Sequence, residues 1–285
     1  MTAWWDRYLM GRDTGIEREP QVDVQTSDGK WRTETSWPPP GTAPQVFYTH
    51  PAAAGAGTLQ TRSPGPEADQ AIIDDPSLSE NRMLQNPDQA DPARLTYRGK
   101  ALAAAMRIAG TPVIDIRAAS DSVGTHYAAL LCDVDPSGKW TIAGRGFGNA
   151  RYRATPDGLE QGQDLVPGQD YRFRLKIRDL DYTFAAGHSV GLVLSSSNSV
   201  WALPSEYRAT NTIHNGSGGQ NTTLTLPVVG LAGASTTAPG PGPSSAPMPH
   251  LPNTGGDNRG AWPWLPVLCG IVIAGLARTR PHHNR

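Results

Sequence analysis

Apolar and charged residues alternate without error along Tyr171-Arg172-Phe173-Arg174-Leu175-Lys176-Ile177-Arg178, so one side of this segment is oily and the other cationic. That period of two is the signature of a strand with one face buried. Val113 to Ala118 alternates in the same way, with Ile114 and Ile116 pointing inward; Val190, Leu192 and Leu194 form a similar row, as do Leu224 and Leu226. One wet face per strand predicts antiparallel sheets. Turn signals punctuate the rows: Asp135-Pro136-Ser137-Gly138 between Tyr127–Val134 and Trp140–Ile142, Pro167-Gly168 before Tyr171, and Ala186-Gly187 before Ser189. Many short strands at such intervals predict an all-β sandwich or jelly roll.

Helical spacing is convincing once, at the start. Trp4, Trp5, Tyr8 and Leu9 share a helical face, Thr2 is placed to cap it and Gly11 to stop it, so the chain is expected to open directly into a packed helix. Neither a basic n-region nor an apolar h-region precedes Asp6. Set beside the exit signal described below, this leads to the expectation that the chain is the downstream piece of a longer exported protein.

Composition agrees with strands and turns: 26 prolines and 31 glycines accompany 38% apolar residues. A formal net charge of -1, with the two signs interspersed, supplies no field for a polyanion, so nucleic acid is not expected as a partner. Two cysteines, Cys132 in the strand-rich part and Cys269 in the apolar tail, give no disulfide framework; Cys132 reads as a small buried hydrophobe.

The last fifty-odd residues change character. From Leu231 the run Ala-Gly-Ala-Ser-Thr-Thr-Ala-Pro-Gly-Pro-Gly-Pro-Ser-Ser-Ala-Pro has nothing to bury and predicts an extended, disordered spacer over 231–250. Leu251-Pro252-Asn253-Thr254-Gly255 follows, then an apolar stretch from Trp262 to Ala277, then the basic end Arg278 to Arg285. The apolar stretch is sixteen residues, interrupted by Pro263 and Pro266, short of the roughly 20 that span a bilayer comfortably. A basic end staying inside would leave the pentapeptide just outside the membrane. In its three parts and their order, 251–285 resembles the sorting signal of sortase substrates. The resemblance implies transient membrane retention by an apolar helix, cleavage between Thr254 and Gly255, and transfer of the Thr254 carboxyl to peptidoglycan, hence an extracellular place on a Gram-positive cell wall.

A second resemblance covers most of the chain. Trp5-Asp6-Arg7-Tyr8-Leu9-Met10-Gly11; Trp31 and Ser36-Trp37-Pro38; Leu131-Cys132-Asp133-Val134-Asp135-Pro136-Ser137-Gly138; Ala150-Arg151-Tyr152-Arg153; and Phe184-Ala185-Ala186-Gly187-His188 running into Ser195-Ser196 occur in this order. Together they resemble the C-terminal part of the X-Pro dipeptidyl-peptidase and cocaine-esterase family of serine hydrolases. The resemblance implies a jelly-roll, galactose-binding-like sandwich over 16–230, with 1–15 as the last helix of an α/β-hydrolase domain. It also implies an upstream catalytic domain as partner, which carries the nucleophile, acid and histidine and cleaves Xaa-Pro peptides or acyl esters. No cofactor is expected.

Four other patterns invite chemistry. Gly187-His188-Ser189-Val190-Gly191 matches a nucleophile elbow, with Glu206 and His214 following in acid-then-histidine order. An elbow needs a strand before its serine and a helix after it, whereas Ser189 opens a strand, so a strand start is expected. Asp133-Val134-Asp135-Pro136-Ser137-Gly138 suggests a calcium loop but lacks the distal glutamate, and a hairpin is expected. His50, His126 and His214 are isolated, and no metal is assigned. Trp31, Trp37, Trp140 and Trp201 suit either a sugar platform on a free-standing wall-bound module or core and domain contacts, with the exposure of Trp140 and Trp201 deciding between them.

Overall fold

The computed structural model describes residues 2–52, 56–65, 67–154, 161–215 and 221–231. The chain divides into a unit at Met1–Thr236 and a second at Thr237–Arg285, and every described residue lies in the first. The chain opens with α1 (Thr2–Tyr8) and a single 3-10 turn (Ile16–Arg18), followed by β1 (Val22–Gln25), β2 (Trp31–Glu34), β3 (Thr42–His50), β4 (Gly57–Gln60) and β5 (Gln70–Ile73). Then come α2 (Glu80–Leu84), β6 (Arg94–Gly99), β7 (Met106–Gly110), β8 (Val113–Ser120), β9 (His126–Val134) and β10 (Trp140–Asn149). The last five strands are β11 (Asp170–Lys176), β12 (Leu180–Phe184), β13 (Ser189–Ser195), β14 (Thr210–Ile213) and β15 (Thr223–Val229).

The fold is an all-β sandwich, as the alternation predicts. Strands neighbour one another in the order β10-β9-β13-β6-β4-β3-β15-β8-β14-β5, with β11 on β8 and β12 joined through β7 to β15. Pairing is antiparallel except between β4 and β6. Strand β3 turns the corner between layers: Thr42 to Tyr48 pair with β15, and Tyr48 to His50 pair with β4. The inner core forms where Leu131, Val190, Leu192, Leu194 and Tyr97 meet Ile114, Ile116, Phe173, Leu175, Ile177, Leu224 and Leu226. Each of those side chains sits at alternate positions of its strand, which is how the two-residue period becomes one shared apolar layer. On β11 the cationic Arg172, Arg174 and Lys176 face outward.

The expectation of one wet face fails for the central strands. All seven residues of β13 are buried, and so are all but the first of β9. A second core lies on the outer side of this sheet, where Leu78, Met83 and Ala93 pack on Leu130, Cys132, Val134, Val193 and Trp140. The cover comes from the segment after β5, including α2, an element the periodicity did not predict. Its apolar residues are too sparse to register as a helical stripe, and its N-terminus is set by Ser79, whose hydroxyl accepts from the Arg82 N–H. Gly191 allows the Trp140 ring onto the sheet, since a Cβ there would meet that ring at 2.6 Å.

The cover is pinned by charge as well as by apolar contact. Arg145 of β10 grips Glu80 with Nε to Oε1 at 2.7 Å and Nη2 to Oε2 at 2.8 Å, and the Asn198 amide donates to the same carboxylate at 3.0 Å. Arg145 foremost, and then the Asn198 bond, hold the Glu80 carboxyl below its ordinary range against the opposing effect of burial. A carboxylate whose pKa is lowered by folding stabilises the fold above the unfolded value of about 4.3, and that contribution fades as the pH falls through the lowered value. Glu80→Gln is therefore expected to cost about 1–2 kcal/mol at pH 7 in urea unfolding, less than a fully buried pair because Arg145 is partly open to water. The gap between the two proteins is expected to close as the pH is lowered through and below the glutamate range; a gap that stays constant with pH would contradict the ion-pair account.

Candidate docking surface

The residues that suggested an esterase do not meet. Ser189 is the first residue of β13, buried, paired opposite Val134 and followed by strand rather than helix. His214 has Nδ1 2.9 Å from Asp69 Oδ2 and Nε2 2.9 Å from Asp170 Oδ1, so both ring nitrogens are committed elsewhere. Glu206 is exposed on the loop before β14, beside Tyr207, whose hydroxyl its carboxylate pushes up in pKa. His188 instead binds Asp133, Nδ1 to Oδ1 at 2.8 Å, while the Tyr182 hydroxyl donates to Asp133 Oδ2 at 2.9 Å. This trio clips β12, β9 and the start of β13 together and contains no nucleophile.

The remaining chemical candidates are structural in the same sense. Asp135 Oδ1 accepts from Ser137 N at 2.8 Å, Ser137 Oγ at 2.5 Å and Lys139 N at 3.0 Å, so its side chain builds the β9–β10 hairpin from within. Cys132 is fully buried, and burial pushes its thiol up, away from the thiolate form that reacts. His50 lies between Glu67 Oε1 at 2.9 Å and the Arg62 carbonyl at 3.0 Å. His126 stacks edge-on against Phe147, and burial lowers its pKa. Among the described residues, no group of three or more His, Cys, Asp or Glu side chains could hold a metal ion.

The four tryptophans split. Trp140 lies inside the outer core, and Trp31 stands 67% exposed on the separate β1–β2 hairpin. Trp37 is partly buried and donates Nε1–H to Asp179 Oδ2 at 3.0 Å. Trp201 is exposed, with the Arg178 guanidinium 6.0 Å from its ring centroid. With one inside and one on a separate sheet, they do not build one platform.

The open apolar surface begins at α1. Trp4 packs edge-on against Trp5 at 5.0 Å and lies 4.9 Å from Tyr8, yet no residue of α1 is buried, and Leu9 and Met10 beyond it are exposed too. The helix forms as predicted, with Thr2 as its first residue rather than its cap, and Gly11 at φ 66° ends it by donating to the Arg7 carbonyl at 3.1 Å. The expectation that it is packed is wrong for this chain. Its strongly amphipathic sequence has no partner face among the described residues, and it is held from the side, by the Arg7–Glu17 ion pair, by Thr14 Oγ1 donating to the Ala3 carbonyl at 3.0 Å and by Arg12 on Asp6. The hairpin that follows is locked to the sandwich, because Arg107 grips both Glu34, at 2.7 Å, and Asp181, at 2.5 Å.

Leu251, Pro252, Asn253, Thr254 and Gly255, the spacer before them and the apolar stretch after them lie outside the described residues. Among the described residues no helix is long and apolar enough to cross a membrane.

Comparison with known proteins adds a family. The family described as the X-Pro dipeptidyl-peptidase C-terminal non-catalytic domain matches residues 14–228. A putative Xaa-Pro dipeptidyl-peptidase of Bacillus anthracis is 31% identical over 195 residues, 68% of this chain and 32% of that protein. The cocaine esterase of Rhodococcus sp. is 28% identical over 216 residues, 69% of this chain and 37% of its own. The chain thus spans about a third of the length of these curated relatives. Among solved structures, an aminopeptidase from a marine sediment archaeon superposes with TM-score 0.60 at 19% identity over 80% of this chain and 43% of that one. An α-amino acid ester hydrolase does so with TM-score 0.58 at 19% identity over 79% and 44%. At such identities these two likenesses speak for the fold alone.

If Ser189 is only the first residue of a buried strand, Ser189→Ala leaves hydrolysis of an activated aryl ester by the purified chain unchanged from wild type. Turnover that the substitution abolishes would overturn the assignment.

Proposed function

The chain belongs to the family of X-Pro dipeptidyl-peptidase C-terminal non-catalytic domains, and on that premise we propose that it is the accessory β-sandwich of a cell-wall-anchored serine hydrolase. The hydrolase would act on Xaa-Pro peptides or acyl esters through an α/β-hydrolase catalytic domain. The observation that carries this reading is the bare aromatic face of α1. Trp4, Trp5, Tyr8, Leu9 and Met10 are too many large apolar side chains to leave in water on one short segment. A catalytic domain laid on that face would bury them, and about two thirds of the Bacillus anthracis relative lies outside the part this chain matches.

Retention on the wall rests on the pentapeptide Leu251 to Gly255 with its apolar and basic flanks. A free-standing wall-bound module that binds sugar or protein ranks second, because Trp140 is interior and the open tryptophans do not share one sheet.

Two experiments test the reading. The full chain is mixed with the catalytic part of the Bacillus anthracis relative and binding is followed by calorimetry. Saturable one-to-one binding, weakened about tenfold or more by Trp4→Ser with Trp5→Ser, is expected, and no binding by the wild-type chain would contradict the docking. Separately, incubation with a sortase and a glycine nucleophile is expected to yield a product ending in the Thr254–glycine linkage, seen by mass spectrometry and lost in Thr254→Ala. An uncut chain would contradict the wall attachment without touching the docking.

A further inference from the structure

The segment from Ser195 to Leu203 places its side chains in the reverse of the order a free surface favours. Ser195, Ser196, Ser197 and Asn198 are buried, whereas Val200, Trp201 and Leu203 stand 65%, 40% and 87% exposed. Burying polar groups costs unless each finds a partner, and here each does. Ser195 Oγ donates to the Ser197 carbonyl at 2.8 Å, Ser196 Oγ accepts from Asn211 Nδ2 at 2.7 Å, and Ser197 Oγ donates to Asp74 Oδ1 at 2.6 Å. Asn198 donates to Glu80 at 3.0 Å and accepts from Val200 N at 3.2 Å. Its carbonyl takes the N–H groups of Trp201 and Ala202, at 3.2 and 3.0 Å, and Ser199 N reaches the Leu78 carbonyl at 2.9 Å. The tip is therefore a turn fixed by a hydrogen-bonded polar knot, and it holds three large apolar side chains out.

Scattered apolar residues on a surface need no explanation, but three within four residues on a preorganised tip form a patch that a partner covers at little ordering cost. Resting on the function proposed above, we infer that the Val200–Leu203 tip is a second docking point for the α/β-hydrolase catalytic domain, with Trp201 as its anchor. Two observations favour that occupant. The seven-residue α1 is too small to supply alone the roughly 800 Å² per partner of a stable interface, so a domain seated on it needs another foothold. Trp37, in the segment between β2 and β3, and the tip also border the same turn: Trp37 donates to Asp179, and the neighbouring Arg178 lies over Trp201. Tryptophan and arginine are both enriched among the residues that carry binding energy near interface centres.

The test uses the full chain and the catalytic part of the Bacillus anthracis relative. Trp201→Ser with Leu203→Ser, in a chain with α1 intact, is expected to weaken binding about tenfold or more while leaving the thermal midpoint unchanged. Leu203→Ser alone, at the more exposed position, is expected to weaken it by a smaller factor and serves if the double variant folds poorly. Wild-type affinity in both variants, with wild type itself binding, would overturn this inference and leave the proposed function standing. Failure of the wild-type chain to bind would overturn both. Self-association of the wild-type chain, or its retention on purified peptidoglycan, that the double variant abolishes would assign the tip to a second copy or to a saccharide and overturn the inference as well.

Discussion

Strand β13 has no free side, and much of the rest of the unit answers that constraint. Its even-numbered residues, Val190, Leu192 and Leu194, close the inner core, while Val193 and Gly191 face the outer one. A strand buried on both faces must be covered twice. The first cover is the opposing sheet. The second is the segment around α2, which supplies Leu78 and Met83 and carries Glu80 into reach of Arg145 and Asn198. The strand then ends in polar residues that are still inside, so its exit is knotted to Asp74, Glu80 and Asn211 before the chain regains water at Ser199. Covering and display are thus two ends of one requirement.

The same constraint explains why an apparent nucleophile motif does not form an elbow. A reactive serine stands on a strained turn with its hydroxyl open to substrate. Ser189 is held in the first ladder pair of β13, below the surface, while His188 beside it is spent on Asp133. Histidines, serines and carboxylates are plentiful here, but they are used as fasteners between strands. Large apolar side chains stand outward at α1 and at the 200–203 tip, which suits an accessory domain of a family described as non-catalytic.

The inner core was legible in the sequence because antiparallel strands with one buried face write their geometry as a period of two, as Tyr171 to Ile177 does. The turns at Gly138, Gly168 and Gly187 were legible as well, since a backbone at positive φ selects glycine. The outer core was not. Its cover, Asp74 to Ala93, is rich in Asp, Ser, Asn and Pro with only a few apolar residues, and reads as solvent loop until the strand beneath it is seen. The serine run at 195–197 gives no sign of burial in the sequence for the same reason: hydroxyls in a row suit a surface, and only the positions of Asp74, Asn211 and Glu80 show that these are inside. Helix α1 was found by its periodicity, but periodicity reports that a face is apolar and not whether anything covers it.

The central claim is that the covered strand and its polar knot hold an apolar tip rigid in the free chain. Native-state hydrogen exchange on the full chain measures this directly, residue by residue. The account predicts that the amides of Val200, Trp201 and Ala202 exchange slowly, in step with those of β13, because they are tied to Asn198. Exchange there at the rate of unstructured chain, with β13 still protected, would contradict it.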